Sequence, residues 1–103
     1  EIGLMYPSDY GYAASPEAWT TDLYDYNNST ITPNNWLYMG LHEWTINPNS
    51  SSSSSVFYVY FNGYLNYYLA YYGYAARPVF YLESNVALQG GNGTSSDPYR
   101  LAV

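Results

Sequence analysis

The chain has no cysteine, few charges and a single histidine, and each shortage excludes a class of protein. Without cysteine no disulfide can form, so a secreted domain of this sequence would depend on its apolar core, which a chain of about 100 residues can supply. Lys and Arg number only two against eight Asp and Glu, for a net charge of −6. A basic surface that could hold phosphate groups is therefore absent, and we expect neither nucleic acid nor an anionic membrane as a partner.

Long apolar runs are also missing from the chain. No stretch approaches the roughly 18 residues of a membrane-spanning helix, so we expect no membrane insertion by this segment. Residues 1–103 are predicted to form one domain. Because the chain begins with Glu1 rather than Met, we interpret it as a processed form or as the C-terminal globular part of a longer surface protein. The many Ser, Thr, Asn and Gly residues, with only 10% charged residues, favour an extracellular or bacterial cell-surface location.

The residues that catalysis requires are scarce. A catalytic centre needs a nucleophile beside a base, a carboxylate pair, or metal ligands at a useful spacing. The one histidine, His42, follows no partner motif and lies next to Glu43. Glu17, Asp22 and Asp25 are typical of the solvated face of a helix and do not form a calcium-loop pattern. We therefore predict a protein that is not an enzyme, with no catalytic residue, no cofactor and no metal site.

Tyrosine is the residue that the chain has in excess. Sixteen residues are tyrosine, and nine of them lie in the 26 residues from Val56 to Tyr81. A tyrosine ring offers a large contact area and one hydroxyl while freezing only two torsions, which suits binding surfaces. Ordinary strand packing also uses aromatic side chains. The doublets at positions 67–68 and 71–72 cannot face one side of a strand, because successive side chains alternate, so some rings must face solvent or a partner.

One helix is predicted, from Pro16 to Asp25. Ser15 suits its N-cap and a proline suits its first turn, while Trp19, Leu23 and Tyr26 recur at the spacing of one helix face.

The rest of the chain is predicted to form short strands, which makes the fold class α+β, with short antiparallel strands and one or two short helices. Asn62-Gly63 between two aromatic runs is the strongest hairpin signal. The predicted strands are Trp36–Met39, Glu43–Ile46, Val56–Phe61, Tyr64–Leu69, Val79–Glu83 and Tyr99–Ala102, and the predicted loops are Asn27–Thr30, Ser50–Ser55 and Gly90–Gly93.

Alternation along the hairpin assigns its side chains to two faces. We predict an inward set of Phe57, Val59, Leu65 and Leu69, and an outward set of Tyr58, Tyr60, Tyr64, Asn66 and, if the strand stays regular, Tyr68. Three more tyrosines follow in a glycine-containing turn. The predicted ligand-binding residues are Tyr58, Tyr60, Asn62, Tyr64, Asn66, Tyr67, Tyr68, Tyr71, Tyr72 and Tyr74.

Four segments carry a resemblance to a known group of proteins. The segments IGLMYPSDYGYA, NNWLYMGLHEWTI, ARPVFYLESNV and GGNGTSSDPYRL resemble bacterial exported domains found at the C-terminal end of pilin-like and other surface proteins. This group resembles C-type-lectin-like folds, and the resemblance implies that architecture here. Some bacterial lectin-like domains are variable proteins of diversity-generating retroelements, in which mutagenesis rewrites Asn codons to Tyr, Ser, Asp and others. The tyrosine run before Arg77-Pro78 resembles the product of that process.

Two functions from different classes are compatible with these patterns. The first is a cell-surface or secreted binding module that recognises an extracellular protein or glycan through a Tyr-rich, hypervariable face. The second is a structural subunit of an extracellular, pilus-like filament, with the same tyrosines buried between neighbouring copies.

Overall fold

The fold is a small assembly of mostly antiparallel strands with a few short helices. The computed structural model describes residues 1–27 and 29–102. Within them lie one short α-helix, α1 (Pro7–Tyr12), three 3-10 turns at Pro16–Ala18, Leu23–Asp25 and Thr32–Asn34, and the strands β1 (Ile2–Gly3), β2 (Glu43–Asn49), β3 (Ser52–Val59), β4 (Leu65–Leu69), β5 (Val79–Phe80), β6 (Ala87–Gly90) and β7 (Arg100–Ala102). This composition agrees with the predicted α+β class at that coarse level. Among the described residues, no helix is long and apolar enough to cross a membrane.

The largest sheet has the order β2-β3-β4, and both of its pairings are antiparallel. The turn between β2 and β3 is held by Asn49, whose side-chain oxygen accepts the backbone N–H of Ser51 at 2.8 Å. The prediction that Ser50–Ser55 is a loop is wrong for its last four residues, because Ser52–Ser55 belong to β3. Pairing on both sides explains this: Ser52 lies opposite Asn49, and the Ser54 carbonyl accepts the Ala70 N–H at 2.9 Å.

The β3–β4 hairpin predicted around Asn62-Gly63 is confirmed, with a longer loop than the two-residue turn. The Tyr60 N–H donates to the Tyr64 carbonyl, and the Gly63 N–H donates to the Tyr60 carbonyl, both at 2.8 Å. Gly63 has φ +103°, and a Cβ there would lie 1.8 Å from Cγ2 of Thr32. Only glycine meets both requirements, because other residues rarely adopt this backbone conformation.

The core packs on one face of this sheet. Val59 and Leu65, which are paired across β3 and β4, are buried against Met5, Tyr10 and Tyr26 from the N-terminal segment. The Tyr10 hydroxyl donates to the Gly63 carbonyl at 2.5 Å, which ties α1 to the hairpin loop. The inward assignment of Val59 and Leu65 is thereby confirmed, and Phe57 also packs against this cluster.

The predicted helix from Pro16 to Asp25 is wrong. Two 3-10 turns occupy this region, separated by Trp19–Asp22, and the α-helix lies earlier, at Pro7–Tyr12. Asp22 accounts for the break, because its side chain accepts the Tyr24 N–H at 3.3 Å and starts a new turn. Of the predicted loop Asn27–Thr30, Asn28 lies outside the described residues.

Several other strand predictions need correction. Trp36–Met39 is a turn at Trp36 and Leu37 followed by irregular chain rather than a strand, and the Tyr38 N–H bonds to the Asn35 carbonyl at 3.2 Å. The strand predicted at Val79–Glu83 is only Val79–Phe80, and the last one begins at Arg100 rather than Tyr99. The sequence does not predict β6. Gly90 is the last residue of this strand and so does not belong to the predicted loop Gly90–Gly93. These strands are too short for a periodic pattern to show.

The C-terminal third adds little to the core. No described residue after Leu65 is buried, and the β6–β7 hairpin exposes Leu88, Tyr99 and Leu101. The radius of gyration is 15.3 Å, against about 13 Å for a compact domain of this length. The accessible surface is 7090 Å², against about 5,900 Å² expected from the mass. The domain therefore displays more surface than a self-contained globule.

Candidate ligand-binding face

The second face of the β2-β3-β4 sheet is lined with aromatic rings. Because side chains alternate along a strand, Tyr58 lies opposite to Val59 and so points away from the core. Trp44 is directly across from Tyr58 on β2, and its ring lies 5.8 Å from the Tyr58 ring. His42, two residues before Trp44, has its ring 5.6 Å from Tyr58 on the same side.

The segment after β4 brings further tyrosines onto this face. β4 is one edge of the sheet, whereas Ala75 lies beyond the other edge, in a parallel bridge with Glu43. Two backbone bonds of 2.9 Å fix it there, from the Trp44 N–H to the Ala75 carbonyl and from the Ala75 N–H to the His42 carbonyl. The intervening chain carries Tyr72 and Tyr74 onto the outer side, and the Tyr74 ring lies 5.0 Å from the Tyr58 ring.

Ten rings form one continuous network, which we call the outer aromatic face. Neighbouring ring centroids lie between 4.5 Å, for Tyr60 and Phe61, and 6.2 Å, for Tyr58 and Tyr60. Such distances are those of favourable offset or edge-to-face pairs. The members are His42, Trp44, Tyr58, Tyr60, Phe61, Tyr64, Tyr68, Tyr71, Tyr72 and Tyr74.

The outer aromatic face has a buried centre and an exposed rim. Tyr58 is only 4% exposed, so its ring belongs to the buried centre. It points outward from the sheet as predicted but is covered by Trp44, Tyr60 and Tyr74. The exposed members, which we call the rim, are Phe61, Tyr68, Tyr71 and Tyr72, with exposures from 39% to 75%.

Three phenol groups on this face, those of Tyr58, Tyr64 and Tyr68, have a raised pKa and are harder to ionise than free tyrosine. Burial, followed by the neighbouring phenols of Tyr74 and Tyr64, raises the pKa of Tyr58 to about 12. Burial and the Tyr60 phenol also raise the pKa of Tyr64. On the rim, a hydrogen bond with Tyr72 raises the pKa of Tyr68. These hydroxyls are neutral at physiological pH and can both donate and accept hydrogen bonds.

Seven of the ten predicted ligand-binding residues belong to the outer aromatic face, and three do not. Tyr67 lies on the core side of the sheet, where its ring is 5.8 Å from Phe57. The Asn66 side-chain oxygen accepts the Tyr24 hydroxyl at 3.0 Å and the Tyr67 N–H at 2.8 Å, so it is occupied within the domain. Asn62 is partly exposed in the hairpin loop but is not part of the ring network.

Three members of the face were not predicted from the sequence: His42, Trp44 and Phe61. His42 lies just before the predicted strand Glu43–Ile46, and Trp44 lies within it. Because side chains alternate along a strand, both are expected on the same side. The strand pairing that sets Trp44 beside Tyr58 cannot be read from that alternation. Nδ1 of His42 is buried and hydrogen-bonds to none of the described residues.

The adjacent pair His42-Glu43 does not form an acid–base pair. Glu43 lies on the core side, where its carboxylate accepts two bonds of 2.8 Å from Nε and Nη2 of Arg77. Nη2 of Arg77 also donates to the Leu37 carbonyl at 2.6 Å. This ion pair, with Glu43 buried and Arg77 half-buried, fixes the chain just after Ala75 and so holds Tyr74 over the sheet. Among the described residues, no group of three His, Asp or Glu side chains is placed to hold a metal ion.

Comparison of the chain with protein-family models, with curated proteins and with solved structures gave no significant match.

Proposed function

We propose that this domain is a cell-surface or secreted binding module, and that the rim of the outer aromatic face contacts an extracellular protein or glycan. The observation that carries the proposal is the ten-ring network on the sheet face that the core does not use. A core needs its rings buried, yet Tyr71 is 75% and Tyr68 is 43% exposed. Contiguous exposed apolar patches mark interaction sites in soluble proteins.

The composition of the face suits recognition rather than chemistry. Its centre is held rigid by ring contacts, and its rim presents phenol hydroxyls, so binding would freeze few side-chain torsions. Tyr and Trp are the residues most often found at interface hot spots. Because Glu43 is turned to Arg77 and away from His42, the face offers no general acid–base pair, and we propose no enzymatic activity.

We further propose a C-type-lectin-like architecture and a diversified face. The support is the sequence resemblance together with the placement of the tyrosine run, whose rings gather mostly on one surface. A variable surface requires a fixed frame, and the Glu43–Arg77 ion pair beside Pro78 supplies one.

A binding assay with matched variants tests the proposed function. The domain is displayed on yeast and titrated with a panel of purified extracellular proteins and an oligosaccharide array. We expect saturable binding to at least one member, weakened at least about tenfold by Tyr68→Ser or Tyr72→Ser. The controls are Tyr81→Ser and Tyr99→Ser, at exposed positions outside the network. Binding that is unaffected by the rim variants, or that is lost in the controls, would contradict the proposal.

The competing function is a structural subunit of an extracellular, pilus-like filament, in which the tyrosines make subunit contacts. One observation favours it: β6 and β7 form an isolated two-stranded sheet that leaves Leu88, Tyr99 and Leu101 exposed, and such a hairpin is marginal by itself. Sedimentation velocity separates the two functions. Polymers that grow with protein concentration support the filament, whereas a monomer at all concentrations supports the binding module.

A further inference from the structure

A second candidate site lies on the core side of the sheet, away from the outer aromatic face. It is a cleft of about 240 Å³ between α1 and the segment from Trp19 to Tyr26, lined by Ser8, Gly11, Tyr12, Trp19, Thr21, Leu23 and Tyr26. Leu23 and Tyr26 belong to the core packing, which places the cleft behind the sheet.

Two aromatic rings form a corner in this cleft. The rings of Tyr12 and Trp19 are 5.2 Å apart and almost perpendicular, at 89°. Both remain largely accessible, with 67% and 51% of their surfaces exposed. Because both rings are exposed, the corner is open to a ligand.

The Trp19 wall of the corner and the floor of the cleft are held in place by hydrogen bonds to the backbone. The Trp19 indole N–H donates to the Ala14 carbonyl at 3.1 Å, which fixes the indole plane. The floor is held by Tyr26, whose hydroxyl donates to the Gly11 carbonyl at 3.3 Å. A ligand would therefore meet rings that are already positioned, and binding would cost little side-chain entropy.

The chemistry of the lining determines the class of ligand. None of the lining residues carries a formal charge, and the polar groups that remain are the hydroxyls of Ser8, Tyr12 and Thr21. The domain has a net charge of −6, which disfavours an anionic ligand. A pyranose ring has an apolar face of C–H bonds that stacks on aromatic rings, and hydroxyls at its edge. The volume is below the roughly 300–1,000 Å³ of pockets for drug-sized ligands, which suits one sugar ring.

We propose that this cleft binds a neutral monosaccharide unit, with Trp19 and Tyr12 as its stacking walls and Ser8 and Thr21 as hydrogen-bonding groups. This site is independent of the outer aromatic face and does not rest on the function proposed for it.

The three tryptophans provide a separate reporter for each surface. Trp19 lies in the cleft, Trp44 lies in the outer aromatic face, and Trp36 is 77% exposed outside both. The ¹⁵N-labelled domain is titrated with the methyl glycosides of glucose, galactose, mannose and N-acetylglucosamine, and with sialic acid as the anionic control. Indole N–H signals are assigned by replacing each tryptophan with phenylalanine.

We expect the Trp19 signal to shift saturably with at least one neutral glycoside, with a dissociation constant on the order of 1 mM, a value typical of a small ligand with few contacts. The Trp36 and Trp44 signals should stay in place, and sialic acid should produce no saturable shift. Tyr12→Ala should weaken binding at least about tenfold, while Trp36→Ala should leave it unchanged.

Three results would overturn the proposal: no saturable Trp19 shift with any neutral glycoside, equal shifts of all three indoles, or a saturable shift confined to Trp44. The last result would place sugar binding on the outer aromatic face and so support the function proposed there. If the Trp19 signal shifts but no ligand depends on the rim residues, the proposal for the cleft stands. The function proposed for the outer aromatic face is then contradicted.

Discussion

Tyr58 shows how one residue type serves two purposes in this domain. Its side chain points away from the core yet is 4% exposed, because Trp44, Tyr60 and Tyr74 cover it. The ring is thus the centre of a second packed layer, and the neighbouring tyrosines form the surface of that layer. The position of a tyrosine in the ring network therefore decides whether it is buried or exposed.

Truncating the central ring should cost far more stability than truncating a rim ring. Tyr58→Ala is expected to lower the free energy of unfolding by about 3–4 kcal/mol, as for other buried aromatic residues. Tyr71→Ala is the matched control, because Tyr71 is 75% exposed, and its effect should stay below about 1 kcal/mol. Urea unfolding followed by circular dichroism measures both, and equal effects would show that the network has no buried centre.

The buried Glu43 carboxylate depends on one cation, the guanidinium of Arg77. It is 3% exposed and paired with Arg77, which is 29% exposed. Arg77→Met should lower the free energy of unfolding by about 3 kcal/mol, because it leaves a carboxylate buried without its cation. Arg100→Met removes the exposed pair with Asp97 and should cost no more than about 0.5 kcal/mol. A similar urea midpoint for the two variants would contradict the structural role of Arg77.

At the scale of elements, the hairpin was predictable and the N-terminal layer was not. Asn62-Gly63 between aromatic runs is a local signal, and the turn forms there because Gly63 has φ +103°. The helix predicted at Pro16–Asp25 had the right periodicity, but side-chain capping by Asp22 divides it into two turns. Local hydrogen bonding of this kind competes with helix formation and leaves the apolar spacing unchanged.

The candidate site was predictable only in part, for a similar reason. Alternation along β3 and β4 identifies two faces, which is enough to group Tyr58 and Tyr60. The burial of Tyr58 depends on partners brought by strand pairing and by the Ala75 bridge, both of which are nonlocal. Tyr67 is one of the predicted ligand-binding residues, yet its position in β4 places it on the core side, near Phe57.

The hairpin loop offers a direct test of backbone conformation. Gly63→Ala should lower the free energy of unfolding by more than about 2 kcal/mol, because alanine is disfavoured at φ +103° and its Cβ would clash with Thr32. Gly73→Ala is the control, since a Cβ there meets nothing within 4 Å. That variant should be neutral or more stable by up to about 1 kcal/mol. A stable Gly63→Ala protein would argue against the loop described here.

Over the whole molecule, the buried tyrosines couple stability to high pH. The folded-state pKa of Tyr58 is about 12 against 10.0 for the free side chain, and burial also raises the pKa of Tyr10 and Tyr26. Their contribution to stability is complete below pH 10 and is lost as the pH rises through the folded-state values. We expect stability to fall steeply from about pH 10 to pH 12, with the phenolate absorbance of the buried rings appearing together with unfolding.

Tyr58→Phe removes one of these groups and should move the alkaline unfolding midpoint upward. Tyr81→Phe is the control, because Tyr81 is 92% exposed and should leave the midpoint in place. Phenolate absorbance from all the tyrosines that is complete by about pH 11.5 while the fold persists would show that the rings are not buried.

The central claim is that the outer aromatic face is a diversified binding surface on a fixed frame. Deep sequencing of this locus across a natural population tests it most directly. The account predicts that Tyr68, Tyr71 and Tyr72 are replaced by Asn, Ser, Asp, Phe or His far more often than the exposed aromatics Trp36, Tyr81 and Tyr99, while Glu43 and Arg77 are retained. Tyrosine at all three rim positions in every isolate, or equal variation at the two sets of exposed aromatics, would contradict it.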